Sequence, residues 1–296
     1  GATKFTEGSD TVLVFKGGSG TINLTGSSVL GPKVGDLRTN TDQTSASSAS
    51  AMEHYMSTGW RVFDNYSTLG ICNYPTTATA LYQLNSDGGT TNNVPDTCGA
   101  YDGTATSITY TTGSGGKFGE AAIFNGSTGK IVVPSPISTS TDATDFNRSM
   151  WILTNSAAAG KGLIGADGAN SPVDFYINQV SGNTYNLTFV RRYGGSYYGF
   201  ANTSNFELVP STFYHLSLNY RYSPKTIDLY INGSLVSTTT TIGFTGSQTA
   251  AAYECIGQYN GDGNYASYAW YGKIDQVRFF NSALTAAQVT LLYNES

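Results

Sequence analysis

From Thr77 to the C-terminus one pattern recurs: a short run rich in Val, Ile, Leu, Phe and Tyr, then a break of Gly, Asn, Ser or Thr. The runs are Leu81–Leu84, Ile108–Thr111, Glu120–Phe124, Lys130–Val133, Met150–Thr154, Asp174–Ile177 and Tyr185–Arg191. They continue with Phe213–Tyr220, Thr226–Ile231, Leu235–Thr239, Tyr253–Gln258 and Gly272–Phe280. β-Branched and aromatic side chains suit a pleated surface, and Gly and Asn suit the turns between strands. Asn232-Gly233, set between Ile227–Ile231 and Leu235-Val236, marks a hairpin because both residues tolerate positive φ. Many short strands at this spacing predict an all-β chain ending in a β-sandwich or jelly roll. Strand alternation selects Phe124, Trp151, Leu229, Ile231, Val277 and Phe279 for the core between two sheets. One helix is expected: Thr285-Ala286-Ala287-Gln288 has capping-box spacing, and Val289, Leu292 and Tyr293 supply an apolar face.

Charged residues are 12 % of the chain, about half the common share of roughly 25 %. Against disorder, 39 % hydrophobic and 13 % aromatic residues give the strands a core to fold around. A net charge of −5 and 15 Lys+Arg without a basic cluster offer little to phosphates, so nucleic acid is not an expected partner. No apolar run approaches the ~20 residues of a membrane helix, so no membrane insertion is expected. Gly1–Asp10 lacks the basic-then-apolar order of a signal peptide, which predicts synthesis in a cytoplasm without one. Cys72, Cys98 and Cys255 include no C-x-x-C, which speaks against a zinc or thioredoxin-like site. Three unpaired, partly buried thiols are the favoured reading, with a Cys72–Cys98 pair across a loop as the alternative.

The N-terminal region has another texture. It is rich in Ser, Thr and Gly, its apolar runs are confined to Val12–Phe15 and Trp60–Phe63, and Thr44–Ser50 is a low-complexity loop. So small a core calls for a neighbour or further copies of the chain. The expected organisation is therefore a small β-rich attachment or assembly region over residues 1–76 and a jelly roll over residues 77–296.

Three blocks carry a resemblance. Gly116-Lys117-Phe118-Gly119-Glu120-Ala121 leads to Phe124-Asn125-Gly126-Ser127; Phe213–Leu216 leads to Asp228–Val236; and Gly272–Asn281 leads to Ala283-Leu284-Thr285. In this order they resemble laminin-G-like, concanavalin A-type lectin jelly-roll domains. The resemblance implies a concanavalin A-like sandwich over nearly all of Thr77–Ser296, a fold that serves lectins, adhesion modules and glycosidases alike. In the first region, Pro32–Thr41, Glu53-His54-Tyr55 and Gly59–Phe63 are similar to a pattern of phage tail-fibre and other virion proteins. There a Gly-x-x-Arg-x-Asn strand pairs with a strand ending in Trp.

Enzymatic chemistry finds little support. A retaining glycosidase on this sandwich needs two carboxylates about 5–5.5 Å apart, and the laminarinase-like pattern Glu-x-Asp-x-x-Glu is missing. Glu7, Glu53, Glu120, Glu207, Glu254 and Glu295 are isolated, and Asp142 and Asp145 fall in a Ser/Thr-rich loop. Only His54 and His215 exist, with no Gly-x-Ser-x-Gly elbow and no Walker-type loop. His215, at a position where related folds also carry His, reads as a hydrogen-bonded structural residue. Several of the eight Asn-x-Ser/Thr sequons arise by chance in an Asn-, Ser- and Thr-rich chain, and without a signal peptide they are not read as glycans.

Sugar recognition is better served. A saccharide offers apolar C–H faces and a rim of hydroxyls, which calls for exposed rings beside amides or carboxylates. Arg191–Phe200, with Tyr197 and Tyr198, and Tyr259–Tyr268, with Tyr259, Asn260, Asp262, Asn264 and Tyr265, have that composition and read as Gly-rich turns. Alternation places Asp275 on one face with Val277 and Phe279, so its carboxylate needs a partner. Similar folds use such an Asp for a structural calcium; Arg278 or another buried donor is the alternative.

These readings converge on a non-enzymatic virion surface or tail-fibre protein whose jelly roll binds cell-surface glycans. Its expected setting is the outer surface of a virion, as a homo-oligomer, with a trimer favoured, among other virion proteins. The alternatives are a structural or capsid-decoration protein without ligand, and a polysaccharide depolymerase.

Overall fold

The computed structural model describes residues 2–7, 10–15, 37–40, 51–56, 59–63, 72–85, 92–134, 144–155, 161–166, 174–193, 196–240, 253–258 and 268–295. The chain falls into two compact units, Gly1–Phe63 and Asp64–Ser296. In the first, β1 (Ala2–Glu7) and β2 (Asp10–Phe15) form an antiparallel hairpin. β3 (Leu37–Asn40), β4 (Ala51–Met56) and β5 (Gly59–Phe63) form a separate three-stranded sheet. The strand carrying Arg38 and Asn40 pairs with β4, and Trp60 lies one strand further on, in β5. The expected burial of Val12–Phe15 and Trp60–Phe63 concerns side chains outside the described residues.

The second unit holds β6 (Ala80–Tyr82), β7 (Asn93–Val94), β8 (Gly103–Thr106), β9 (Thr109–Tyr110), β10 (Ala122–Asn125), β11 (Lys130–Pro134), β12 (Phe146–Thr154) and β13 (Lys161–Ala166). It continues with β14 (Asp174–Ser181), β15 (Thr184–Tyr193), β16 (Ser196–Asn202), β17 (Phe206–Glu207), β18 (Tyr214–Arg221) and β19 (Thr226–Ile231). β20 (Ser234–Thr240), β21 (Tyr253–Ile256), β22 (Tyr271–Phe280) and α1 (Ala286–Tyr293) complete it. All strand pairs are antiparallel and make two sheets. One runs β20-β19-β18-β12-β22-β10-β9, with β6 also on β22; the other runs β16-β15-β14-β13-β21-β11-β8-β7, with β17 also on β15. This is the predicted all-β, concanavalin A-like sandwich.

The core lies between the sheets. Phe124, Met150, Ile152, Leu218, Leu229, Val277 and Phe279 meet Ile131, Leu163, Phe175, Leu187 and Phe189 across it. Gly257, at φ +82°, closes one side: a Cβ there would stand 2.0 Å from the Phe124 ring. Of the residues expected inside, Ile231 is half-buried against this cluster. Trp151 is buried on the other face of its strand, because Met150 and Ile152 take the inward positions. Through the apolar interior runs a buried ion pair. Arg148 Nη2 and Nε donate to the two oxygens of Glu254 at 2.9 and 3.2 Å, with the guanidinium against the rings of Phe146 and Phe279.

The outer face of the eight-stranded sheet is covered by α1. Thr285 caps the helix as expected, its hydroxyl accepting from Gln288 N while the Gln288 side chain accepts from Thr285 N. Val289 and Leu292 pack with Ala78, Tyr230, Phe280 and Leu284. Cys72 and Cys98 form a disulfide, against the favoured reading of free thiols; Cys255 is the free, buried one. The turn after Asp96 holds Cys98 by the sheet, since the Asp96 carboxylate takes the amides of Leu81, Cys98, Ala100 and Tyr101. Cys72 and Tyr74 belong to the sandwich, since Tyr74 Oη donates to Leu291 O.

Candidate functional site

The sequence nominated two Tyr-rich segments and Asp275. Tyr197 and Tyr198 lie on β16, not in a turn: Arg192 pairs with Tyr197 and Tyr193 with Ser196, which leaves residues 194–195 between the strands. Strong pairing with β15 extends the hairpin that composition alone suggested was loop. Tyr259, Asn260, Asp262, Asn264 and Tyr265 lie outside the described residues; their segment departs from Gln258, which bridges to Ala269.

Sheet register separates Tyr193 from Gln258. One row across the nine-stranded sheet runs Cys255, Gly165, Asp174, Val190. From that row β15 continues in one direction to the Tyr193 turn, and β21 continues in the opposite direction to Gln258. Tyr193 and Gln258 thus lie toward opposite ends of the sheet.

Asp275 is fully buried, but not with Val277 and Phe279. The register between β12 and β22 slips: Ser149 pairs with Arg278 and Trp151 with Asp275, so β22 spends one extra residue, and Gln276 adopts φ +50°. This bulge reverses the alternation. Asp275 and Arg278 face outward with Trp151, while Val277 and Phe279 face the core. Asp275 Oδ2 accepts from Lys117 N at 2.7 Å and Phe118 N at 3.0 Å. The Gly115–Gly119 loop wraps this oxygen so closely that a Cβ on Gly116 would stand 2.8 Å from it. Burial pushes the carboxyl up to about 6, against the lowering effect of those amides and of Arg278. N–H donors are the wrong partners for calcium, which takes about six to eight oxygens. Among the described residues no group of three His, Cys, Asp or Glu side chains is placed to hold a metal ion. The two backbone donors hold Oδ2, while the buried Oδ1 has no hydrogen-bond partner among the described residues.

His215 sits beside this patch. Its Nε2 is 2.8 Å from Ser149 Oγ, a contact that sequence spacing did not reveal because the two residues are 66 apart. The pair has the surroundings of a structural contact. Both side chains are buried, Nδ1 has no hydrogen-bond partner among the described residues, and Trp151 and Tyr293 pack against the ring. Burial, then the charges of Arg278 and Lys117, lowers its pKa to about 3, so it stays neutral at ordinary pH. The other acidic groups with described partners are likewise engaged. Asp228 pairs with Arg221, Glu295 with Arg278 and Glu254 with Arg148, while Asp145 accepts from Tyr222 N.

A sandwich of this topology is a lectin-type jelly roll. Residues 125–290, more than half of the chain, match the Laminin_G_3 family model of the concanavalin A-like lectin/glucanases superfamily, and the chain belongs to that family. No curated protein matches the sequence. Among solved structures, the binding domain of Paraclostridial Mosquitocidal Protein 1 is similar at 16 % identity and TM-score 0.56, over 73 % of this chain and 51 % of that one. The botulinum neurotoxin serotype D binding domain is similar at 14 % identity and TM-score 0.53, over 73 % and 51 %. The chain thus spans about half the length of these toxin domains. Domain 4 of AbnA, a GH43 extracellular arabinanase from Geobacillus stearothermophilus, solved with arabinotriose, is 22 % identical at TM-score 0.49, over 73 % and 98 %.

Proposed function

We propose that the protein is a non-catalytic glycan-binding module of a virion surface or tail-fibre protein, attaching to cell-surface polysaccharide. The observation that supports this reading most is the commitment of Asp228, Glu254, Asp275, Glu295 and His215 to internal bonds, beside the Tyr- and Asn-rich composition of the two segments. Tyr197, Tyr198 and the segment containing Tyr259, Asn260, Asp262, Asn264 and Tyr265 are the proposed contacts. Each segment is proposed as a small patch. Useful adhesion then comes from several copies in a homo-oligomer, a trimer by preference.

A glycan array probed with the full chain, with and without Ca²⁺, tests the reading. Binding should occur and should survive chelation, and Tyr259→Ala and Tyr265→Ala should each weaken it by about ten- to a hundredfold. A parent that binds no glycan overturns the proposal and leaves a structural virion role. Parent-like binding by both variants removes that segment from the site.

A further inference from the structure

β14 and β15 are neighbours in the nine-stranded sheet and send Phe175, Ile177, Leu187 and Phe189 into the core. Alternation therefore sets Tyr176, Asn178, Asn186 and Thr188 together on the sheet's outer face. Register pairs Tyr176 with Thr188 and Asn178 with Asn186, so the four residues form a square. Thr188 is fully buried beneath the group, and the other three are half-buried.

The hydrogen bonds inside this square have a direction. Asn178 Nδ2 donates to Thr188 Oγ1 at 3.2 Å, and Thr188 Oγ1 donates to Asn186 Oδ1 at 3.3 Å. A hydroxyl has one proton, so it accepts from one amide and gives to the other, which sets the two amides in opposite senses. What remains at the surface is an acceptor, Asn178 Oδ1, beside a donor, Asn186 Nδ2. Neither atom has a partner among the described residues. The half-buried ring of Tyr176 stands next along β14, and the residue paired with it on β13 is Gly162, which brings no side chain to its flank.

An oriented donor–acceptor pair beside an aromatic ring suits two adjacent hydroxyls and the C–H face of a sugar. No side chain in the square is charged, so the ligand it suits is neutral. We propose that Tyr176, Asn178 and Asn186 form a subsite for a neutral saccharide, with Thr188 as the positioning residue that orients both amides. This rests on the glycan-binding reading but places contact on residues outside the two Tyr-rich segments.

The test uses the full chain on an array carrying neutral hexose and pentose oligosaccharides beside uronate-containing and sialylated ones. The tightest neutral oligosaccharide is then titrated into the parent and variants, with thermal melting as a control for folding. Asn178→Ala combined with Asn186→Ala should weaken binding by about thirtyfold or more, and Thr188→Val by about five- to tenfold. Thr188→Ser, which keeps the relay, should bind like the parent, and the Asn178 and Asn186 side-chain amide signals should shift on titration in the parent. A purely structural relay would move neither the amide shifts nor the difference between the Ser and Val variants. If the paired Asn variant does not fold, the Thr188 variants decide. A parent that binds neutral sugars while all variants bind equally overturns this subsite and leaves the glycan reading intact. Binding of acidic glycans alone overturns the subsite too, and binding of none overturns both.

Discussion

On the inner face of the eight-stranded sheet, Met150, Ile152, Leu216, Leu218, Leu229, Val277 and Phe279 form an apolar layer. On the outer face of the same strands, Asn147, Ser149, His215, Ser217, Asn219 and Arg278 are just as buried but bonded in pairs. Asn219 shows how the outer face works. It receives a bond from Asn147 Nδ2 and grips Leu284 through both backbone groups, N and O, at 2.8 Å each. That fixes the turn into α1 at one register. Apolar contact is non-directional, so the inner face holds the sheets together without saying where each residue must sit. Directional bonds settle position, at the risk of a heavy penalty when one partner is lost.

Arg148 and Glu254 are the exception that lets the two faces be compared, because they place a polar pair inside the apolar layer. Arg148→Met should cost about 3–5 kcal/mol, since Glu254 is then left charged and alone. Adding Glu254→Leu should recover most of that loss, because the inner face asks only for apolar volume. Urea unfolding of the single and double variants measures both effects. A double variant no more stable than the single would break the distinction.

The outer face should respond to pH where the inner face does not. The folded pKa of Asp275, about 6, lies above its ordinary value of 3.8. Its contribution to stability is therefore fully present below pH 3.8 and lost as pH rises through about 6. Asp275→Asn can still accept from the Lys117 and Phe118 amides without a charge to desolvate. Relative to the parent, it should gain roughly 2–3 kcal/mol between pH 4 and pH 7.5. Parallel stability curves for the two proteins over that range would show that this carboxyl is not burdened by burial.

The smallest expected effect concerns the cover itself. Thr285→Ala removes the cap of α1 and should cost about 1 kcal/mol, lowering the thermal midpoint without altering the cooperative melt of the sandwich. A larger loss would mean that α1 and the apolar layer unfold as one unit, and the faces are less independent than their chemistry suggests.

The two faces were unequally legible in the sequence. Runs such as Thr226–Ile231 and Gly272–Phe280 announce strands because apolar side chains recur at the period of the pleat. The capping box of α1 and the Asn232-Gly233 turn, with both residues at positive φ, are also local signals. β12 was recognised only from Met150 onward, since Asn147, Arg148 and Ser149 look like loop until their partners at Asn219, Glu254 and His215 are known. β13, with Gly162 and Gly165, lacked the apolar density that marks a strand. The bulge at Gln276 inverted the face of Asp275 relative to Val277 and Phe279, and a bulge leaves no trace in a two-residue period. The candidate site was legible as composition only. Which tyrosines share a face depends on register, and register is a property of pairs of strands.

The start of the sandwich runs beside its end. Thr79 N donates to Phe279 O, Tyr74 Oη donates to Leu291 O, and the Cys72–Cys98 bond fastens the first of these stretches. A unit whose incoming and outgoing segments are neighbours can be spliced into a turn of another protein with little distortion of either. It can equally be circularly permuted, its old ends joined by a short linker and new ones opened elsewhere. The sandwich thus has the geometry of a portable cassette, able to change its host scaffold without changing its own architecture.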